Sequence, residues 1–146
     1  MKKKLLVVVG LLIVAGSIGC SSRQAALKPK PDVLLPGNAR LTVNDGDPVA
    51  TTKVRCTTVE HLTTIKIGDQ SPVATAMVSN ADQLSALWVR IHDVDGFFGS
   101  YDHDLAGSAR VTMVESTYQI LGTAEGFNTG KPGESVAEKF ALQVSC

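Results

Sequence analysis

The sequence lacks an excess of basic residues. Its 14 Lys and Arg residues equal its 14 Asp and Glu residues, so the formal net charge is zero at pH 7. Lys2 to Lys4 precede an apolar run typical of a cleaved export signal, and without them the net charge is about −3. Because nucleic-acid binding calls for a basic patch, we expect no nucleic-acid partner.

Motifs that carry chemistry are also scarce. His61, His92 and His103 are far apart, and no H-x-x-x-H spacing predicts a zinc site. The acidic stretch 93–104 departs from the EF-hand calcium loop, because Gly96 comes too early and no Glu closes it. No G-x-S-x-G elbow marks a hydrolase. We therefore expect no enzyme, no metal and no bound cofactor. The acidic stretch is interpreted as solvated turn carboxylates, with a weak cation site as the alternative.

The apolar run Leu5–Ala15 is too short to span a membrane, because it has about half of the roughly 20 residues that a spanning helix needs. It follows three lysines and precedes a segment of mostly small residues that ends at Gly19. This is the layout of a secretory signal peptide. It predicts that residues 1–19 are an export signal; a short membrane anchor or a buried core helix is the alternative.

The residues around Cys20 point to a lipid anchor. The stretch Ser17-Ile18-Gly19-Cys20 resembles the bacterial lipobox, although Ser17 stands where that signal usually has Leu. The resemblance implies that the Cys20 thiol is diacylglycerated, that cleavage occurs just before it, and that its new amine is acylated. Two or three acyl chains hold a protein stably on a bilayer, at about 0.8 kcal/mol per buried CH₂. We expect this covalent lipid to be the protein's only attached group and its link to the membrane.

Residues 20–39 are predicted to form a flexible linker. They contain Lys28-Pro29-Lys30-Pro31 and Pro36-Gly37-Asn38, and proline-rich segments favour extended backbone of about 3.1 Å per residue. The 18 residues from Ser21 to Asn38 would reach roughly 55 Å when fully extended, and such a stalk would lift a domain at residues 40–146 off the membrane. The alternative is that Val33-Leu34-Leu35 docks on the domain.

Residues 40–146 are predicted to form an all-β domain, because short alternating segments recur between turn signals and no long helical pattern occurs. About eight short strands at this spacing predict an antiparallel sandwich or a partly open barrel. Residues 80–85 have the pattern of a single helical turn, and residues 127–135 that of a Gly/Pro loop. The predicted strands are Leu41–Val43, Val49–Thr57, Ile65–Ile67, Val73–Val78, Ala86–Val94, Ala109–Val114, Tyr118–Gly126 and Glu138–Ser145.

Two cysteines remain besides Cys20, and they are candidates for a disulfide. Paired cysteines in exported chains usually form one, so Cys56 and Cys146 are expected to be linked; two free buried thiols are the alternative. The period-2 pattern places Cys146 on the face of Leu142 and Cys56 on the face of Val54. A closed loop of about 90 residues would stabilise the fold by roughly 4–5 kcal/mol.

A candidate interaction patch comes from the strand that contains the single Trp. Its alternation places Trp88, Arg90 and His92 opposite the apolar face, and exposed Trp and Arg are common binding anchors. The alternative is that Trp88 covers a sheet edge or packs under a loop. Phe97 and Phe98 cannot point the same way in an extended chain, so we include both in the candidate patch and expect one of them to be exposed. The alternative is that both cap the core.

Several stretches occur together in a fixed order. These are Gly19-Cys20-Ser21-Ser22, Val54-Arg55-Cys56-Thr57-Thr58, Ile65-Lys66-Ile67-Gly68, Val94-Asp95-Gly96 followed by Gly99 and Tyr101, the stretch from Tyr118 to Gly126, and the ending from Lys139 to Cys146. In this order they resemble the mycobacterial 19 kDa lipoprotein antigen family. The resemblance covers residues 40–146 and the signal.

The family resemblance implies a location and a role. It implies a lipid-anchored protein on the outer face of the plasma membrane and in the cell envelope, partly shed, with paired Cys56 and Cys146. It implies an antigen or adhesin that binds a host receptor or an envelope component, and an acylated Cys20 that host Toll-like receptor 2 recognises. The alternative function is a carrier or chaperone for apolar envelope ligands such as lipids, which would need an apolar cavity. Because the linker has no Thr before Thr42, we do not expect the sugar-bearing Thr-rich stalk of the family.

Overall fold

Residues 33–146 are described by a computed structural model, and they form ten β-strands in one antiparallel sheet. This confirms the predicted all-β class, with ten strands in place of about eight. No helix in this part of the chain is long and apolar enough to cross a membrane. The predicted signal peptide, Cys20 and the linker up to residue 32 lie outside the described residues. The strands are β1 Ala39–Val43, β2 Val49–Thr51, β3 Val54–Val59, β4 Leu62–Ile67, β5 Ala74–Ser79, β6 Ser85–Val94, β7 Phe97–Asp102, β8 Ser108–Val114, β9 Thr117–Asn128 and β10 Lys131–Ser145.

The sheet curls into a nearly closed barrel. Its strand order is β2-β1-β10-β9-β7-β6-β5-β4-β3, with β8 pairing only with β9 off this path. The strands at the two ends of this order, β2 and β3, are separated in the chain by Thr52 and Lys53 alone. Residues 49–59 therefore form one bent segment, of which the first part, β2, pairs with β1 and the second part, β3, pairs with β4. This segment brings the two ends of the sheet together, and we call the junction between β2 and β3 the seam.

A disulfide crosses this seam. Cys56 on β3 is bonded to Cys146, which directly follows β10, with the two Cα atoms 5.8 Å apart. The neighbouring Ser145 exchanges backbone hydrogen bonds with the N-terminal segment: its N–H donates to the Asn38 carbonyl and its carbonyl accepts from the Gly37 N–H, each at 2.9 Å. The N-terminal segment, the C-terminus and β3 therefore lie side by side at the seam.

The residues before β1 are already part of the fold. The backbone N–H of Leu34 donates to Oγ1 of the buried Thr117 at 2.9 Å, and Val33 and Leu34 are half-buried. The predicted alternative, in which this segment docks, therefore describes the structure. The linker predicted for residues 20–39 is too long at its C-terminal end, because hydrogen bonds hold residues 34–39 to β9 and β10.

Period-2 alternation fills the barrel interior. Most strand residues that point inward are apolar and almost completely inaccessible, while their neighbours face solvent. One irregularity occurs in β6, where the ladder to β5 passes from Met77–Trp88 to Val78–Ala86 and leaves Leu87 unpaired. This bulge turns Ala86 inward in place of Leu87. The large fully buried side chains include Phe97, Leu41, Ile65, Ile67, Ile91, Ile120 and Leu142.

Three local predictions are wrong. The acidic stretch after Gly96 contains strand β7, because pairing with β6 and β9 and the burial of Phe97 override its turn-like composition. Residues 127–135 belong mostly to a long β9–β10 hairpin, in which an irregular stretch between Lys131 and Val136 accommodates Pro132. Residues 81–83 form bends, and the helical turn predicted for residues 80–85 is absent.

Close approach of β7 and β9 depends on Gly126. A Cβ at this position would overlap the carbonyl of Phe98 on the paired strand. Gly126→Ala is therefore expected to lower the free energy of unfolding by about 1–3 kcal/mol, the usual cost of overpacking, in urea denaturation. Gly130→Ala is the matched control, because its Cβ would meet nothing within 4 Å. Equal midpoints for the two variants would contradict this account.

Candidate interaction surface

Three neighbouring strands present aromatic and cationic side chains on the outside of the barrel. We call Trp88, Arg90, His92, Phe98 and Phe127 the aromatic patch. The first three lie on β6, the fourth on β7 and the last on β9. Antiparallel pairing of β6 with β7 and of β7 with β9 brings these outer faces side by side, so residues spread over 40 positions of the sequence form one surface.

Ring contacts connect the three strands. Phe98 and Phe127 are directly paired in the ladder, and their rings stack with centroids 5.5 Å apart and planes 6° from parallel. The His92 ring meets Phe98 edge-on at 6.4 Å. Such aromatic pairs contribute about 0.5–1.5 kcal/mol each beyond area burial. Phe127 nevertheless stays 38% exposed, so the row offers apolar area to a partner.

The cationic end of the patch is held in place by several contacts. The Arg90 guanidinium carbon lies 5.3 Å from the centroid of Trp88. The guanidinium nitrogens of Arg90 donate to Oδ1 of Asp102 at 2.7 Å and to the carbonyl of Tyr101 at 3.0 Å. The Arg90 side chain remains 38% exposed. A planar donor group over an indole, fixed before any partner arrives, loses little conformational entropy on binding.

Phe97 does not belong to this surface, and its inclusion in the predicted patch is wrong. It is buried to 1% exposure, and a Cβ on Gly99 would meet its ring. Strand alternation in β7 sends Phe97 into the core and leaves Phe98 outside. Of the two rings, only that of Phe98 lies on the outer face, and there it is half-buried.

Two contributors were missed from the sequence. The Gly/Pro composition predicts a loop at Phe127, although Phe127 continues the outward alternation of Leu121 and Glu125 on β9, and that continuation is the available signal. Asp102 was counted among turn carboxylates. Only the pairing of Trp88 with Asp102 across β6 and β7 shows that this carboxylate reaches Arg90.

Tyr101, which precedes Asp102 on β7, has a structural role. The Tyr101 hydroxyl is buried and donates to the carbonyl of Ala86 at 3.1 Å. Burial raises the pKa of Tyr101, and the negative charges of Asp104 and Asp102 raise it further. The phenol therefore keeps its proton and its donor role at neutral pH.

Within residues 33–146, no three His, Cys, Asp or Glu side chains are placed to hold a metal ion.

Comparison with known proteins matches the chain to one family and to mycobacterial lipoproteins. Residues 32–146 match the family described as Mycobacterium 19 kDa lipoprotein antigen. The probable lipoprotein LppE of Mycobacterium tuberculosis is 30% identical over 139 residues, which cover 94% of this chain and 93% of that protein. A putative lipoprotein of Mycobacterium indicus pranii is 31% identical over 135 residues, covering 92% and 96%. Lipoprotein LpqH of Mycobacterium bovis is 28% identical over 158 residues, covering 100% and 99%.

Proposed function

Because the chain belongs to the Mycobacterium 19 kDa lipoprotein antigen family, we propose that it is a lipid-anchored interaction module on the outer face of the cell envelope. Its relatives are named as lipoproteins, and a lipoprotein associates with a membrane or envelope. In this proposal the β domain binds a host receptor or an envelope component without turning it over chemically, as an adhesin does.

The aromatic patch is the observation that carries this proposal. Trp and Arg dominate the binding energy of protein interfaces, above all when they are preorganised. Here Trp88 and Arg90 contact one another, and Phe98 stacks on Phe127. Phe127 lies ten residues along β9 from Thr117, where the N-terminal segment attaches, or roughly 33 Å at about 3.3 Å per residue. Phe127 therefore lies far along β9 from the point where the N-terminal segment attaches.

A double substitution tests the patch. Phe98→Ala with Phe127→Ala removes the stacked pair and leaves the core unchanged, because both rings lie on the outer face. We expect adhesion of bacteria that display the full-length protein to cultured host cells to fall at least tenfold, since hot-spot side chains contribute about 2 kcal/mol or more. Adhesion is counted per cell at equal surface levels of protein.

Val59→Ala is the matched control for this experiment. Val59 is an apolar side chain with 64% exposure, and it lies on β3 across the barrel. Its removal should leave adhesion unchanged. Unchanged adhesion of a folded Phe98→Ala–Phe127→Ala protein would place the binding surface elsewhere and would overturn the proposal for the patch.

The acylated N-terminus is the second recognition element of the proposal. Cys20 lies outside the described residues, and support comes from the lipobox-like sequence before it and from the lipoprotein family. We take host Toll-like receptor 2 as the receptor that reads its acyl chains, and partial shedding as the route by which the protein reaches that receptor.

The alternative role as a lipid carrier is less well supported. Large side chains such as Phe97, Ile120 and Leu142 occupy the barrel interior and are fully buried. An apolar ligand would have to displace them. An interaction through the outer surface requires no such rearrangement, which is why the interaction module is preferred.

A further inference from the structure

Positive charge is concentrated on one side of an otherwise acidic domain. Residues 33–146 contain eight Lys and Arg residues against 13 Asp and Glu residues. Half of these cations, Arg40, Lys53, Arg55 and Lys66, occupy β1, β3, β4 and the link between β2 and β3, which are neighbours around the seam. All four are exposed. We call these four residues the cationic face.

The arrangement is electrostatically unfavourable without an anion. Arg55 lies directly opposite Lys66 in the β3–β4 ladder, and like charges in that position destabilise a sheet. Lys53 lines the same cleft of about 380 Å³, where Asp69 is the acidic residue. Within residues 33–146, none of the four cations of the cationic face forms an ion pair. A negatively charged surface would relieve this repulsion.

The N-terminal end of the described residues lies on the same side. Leu34 lines a cleft of about 520 Å³ together with Arg40 and Lys53. Twelve residues separate Cys20 from Val33, a reach of at most about 40 Å at about 3.1 Å per residue. They include three further basic residues and one acidic residue, namely Arg23, Lys28, Lys30 and Asp32. A lipid on Cys20 would therefore hold the cationic face within reach of the headgroups.

We propose that the cationic face docks on the anionic phosphate headgroups of the bilayer that holds Cys20. This inference rests on the proposed lipid anchor. Basic residues near an anionic leaflet strengthen binding about fivefold each, and the anchor keeps them at high local concentration. The domain then lies on the membrane and does not stand off on a stalk.

Docking sets the direction of the aromatic patch. Strand β7 is in the middle of the strand order, and the ends of that order meet at the seam. Phe98 on β7 therefore lies across the barrel from Arg55 on β3. With the cationic face on the headgroups, the patch points outward, where a partner approaches. In this orientation the acyl chains on Cys20 and the cationic face both contact the bilayer, and the aromatic patch faces away from it.

Lysine footprinting of the acylated full-length protein tests this orientation. The protein is reconstituted in vesicles of phosphatidylcholine alone or with phosphatidylglycerol, and acetylation of each lysine is followed by mass spectrometry. We expect Lys53 and Lys66 to react about fivefold or more slowly on the anionic vesicles. Lys131, which pairs with Asn128 on the strand that carries Phe127, is the internal control and should react equally on both. High salt should abolish the protection.

Arg40→Gln with Arg55→Gln keeps both reporter lysines and removes half of the cationic face, so it should restore most of their reactivity on anionic vesicles. Equal labelling on the two kinds of vesicle, with the protein still bound, would overturn docking and leave the anchor intact. Failure to enter any vesicle would instead overturn the lipid anchor. Protection by soluble polyphosphate but not by anionic vesicles would assign the face to a soluble polyanion and overturn membrane docking.

Discussion

Replacing Cys20 by alanine is expected to abolish fatty-acid incorporation and to move the protein out of the membrane fraction. The variant has no thiol for diacylglycerol and no acylated amine, so it loses the acyl chains that contribute about 0.8 kcal/mol for each buried CH₂. The cationic face alone binds only weakly and reversibly. Labelled palmitate, intact mass and detergent-phase partition are the measurements, and the mass also shows whether residues 1–19 are still attached. Reporter cells that carry Toll-like receptor 2 should no longer respond.

Ser22→Ala is the control for the Cys20 variant, because it alters the same segment without removing the acylated thiol. It should be labelled, retained and recognised like the unchanged protein. A Cys20→Ala protein that still incorporates palmitate, or that remains in the detergent phase after loss of residues 1–19, would show that the anchor is elsewhere. A response of reporter cells without the receptor would contradict its role.

Removal of the disulfide by Cys56→Ser with Cys146→Ser is expected to lower the free energy of unfolding by about 4–5 kcal/mol. The two residues are 90 positions apart, so the bond removes much conformational freedom from the unfolded chain. The seam is also where β3 has no strand partner other than β4. The midpoint of thermal unfolding should fall by roughly 20 °C, given about 4–8 °C per kcal/mol for a domain of this size.

Reductant provides the control for the disulfide. The unchanged protein should lose the same stability when it is reduced, whereas the double-serine variant should be indifferent to reductant. Thr57→Ser changes an exposed side chain beside Cys56 and should have little effect. Two titratable thiols in the oxidised, unchanged protein, or an equal melting midpoint for the double variant, would contradict the assignment.

Local alternation predicted much of the fold. It placed Leu142 and Val144 in the core, and it placed Trp88, Arg90 and His92 on the outer face of β6, because side-chain direction in a strand follows directly from sequence position. The two cysteines were assigned from the export signal and from their phase with apolar neighbours. The inferences on side-chain direction need only the residues within one strand.

Features that depend on which strands are neighbours were not predicted. Gly96 and the acids around it made the region of β7 look like a loop, and only its pairing with β6 and β9 makes it a strand. The outward direction of Phe127 follows from alternation along β9, but its place beside Phe98 depends on the pairing of β7 with β9. The opposition of Arg55 and Lys66 follows from the register of the β3–β4 hairpin, and no single-strand pattern contains it.

The disulfide also determines what a protease can release. The side chain of Leu105 is 88% exposed. The turn that contains it is typical of the exposed loops that proteases cleave. A cut there divides the backbone in two, yet the C-terminal piece stays covalently joined through Cys146 to Cys56 and so to the N-terminal segment. Any single cut between the two cysteines has this result. A protease that sheds the oxidised domain with one cut must therefore act on the N-terminal side of Cys56.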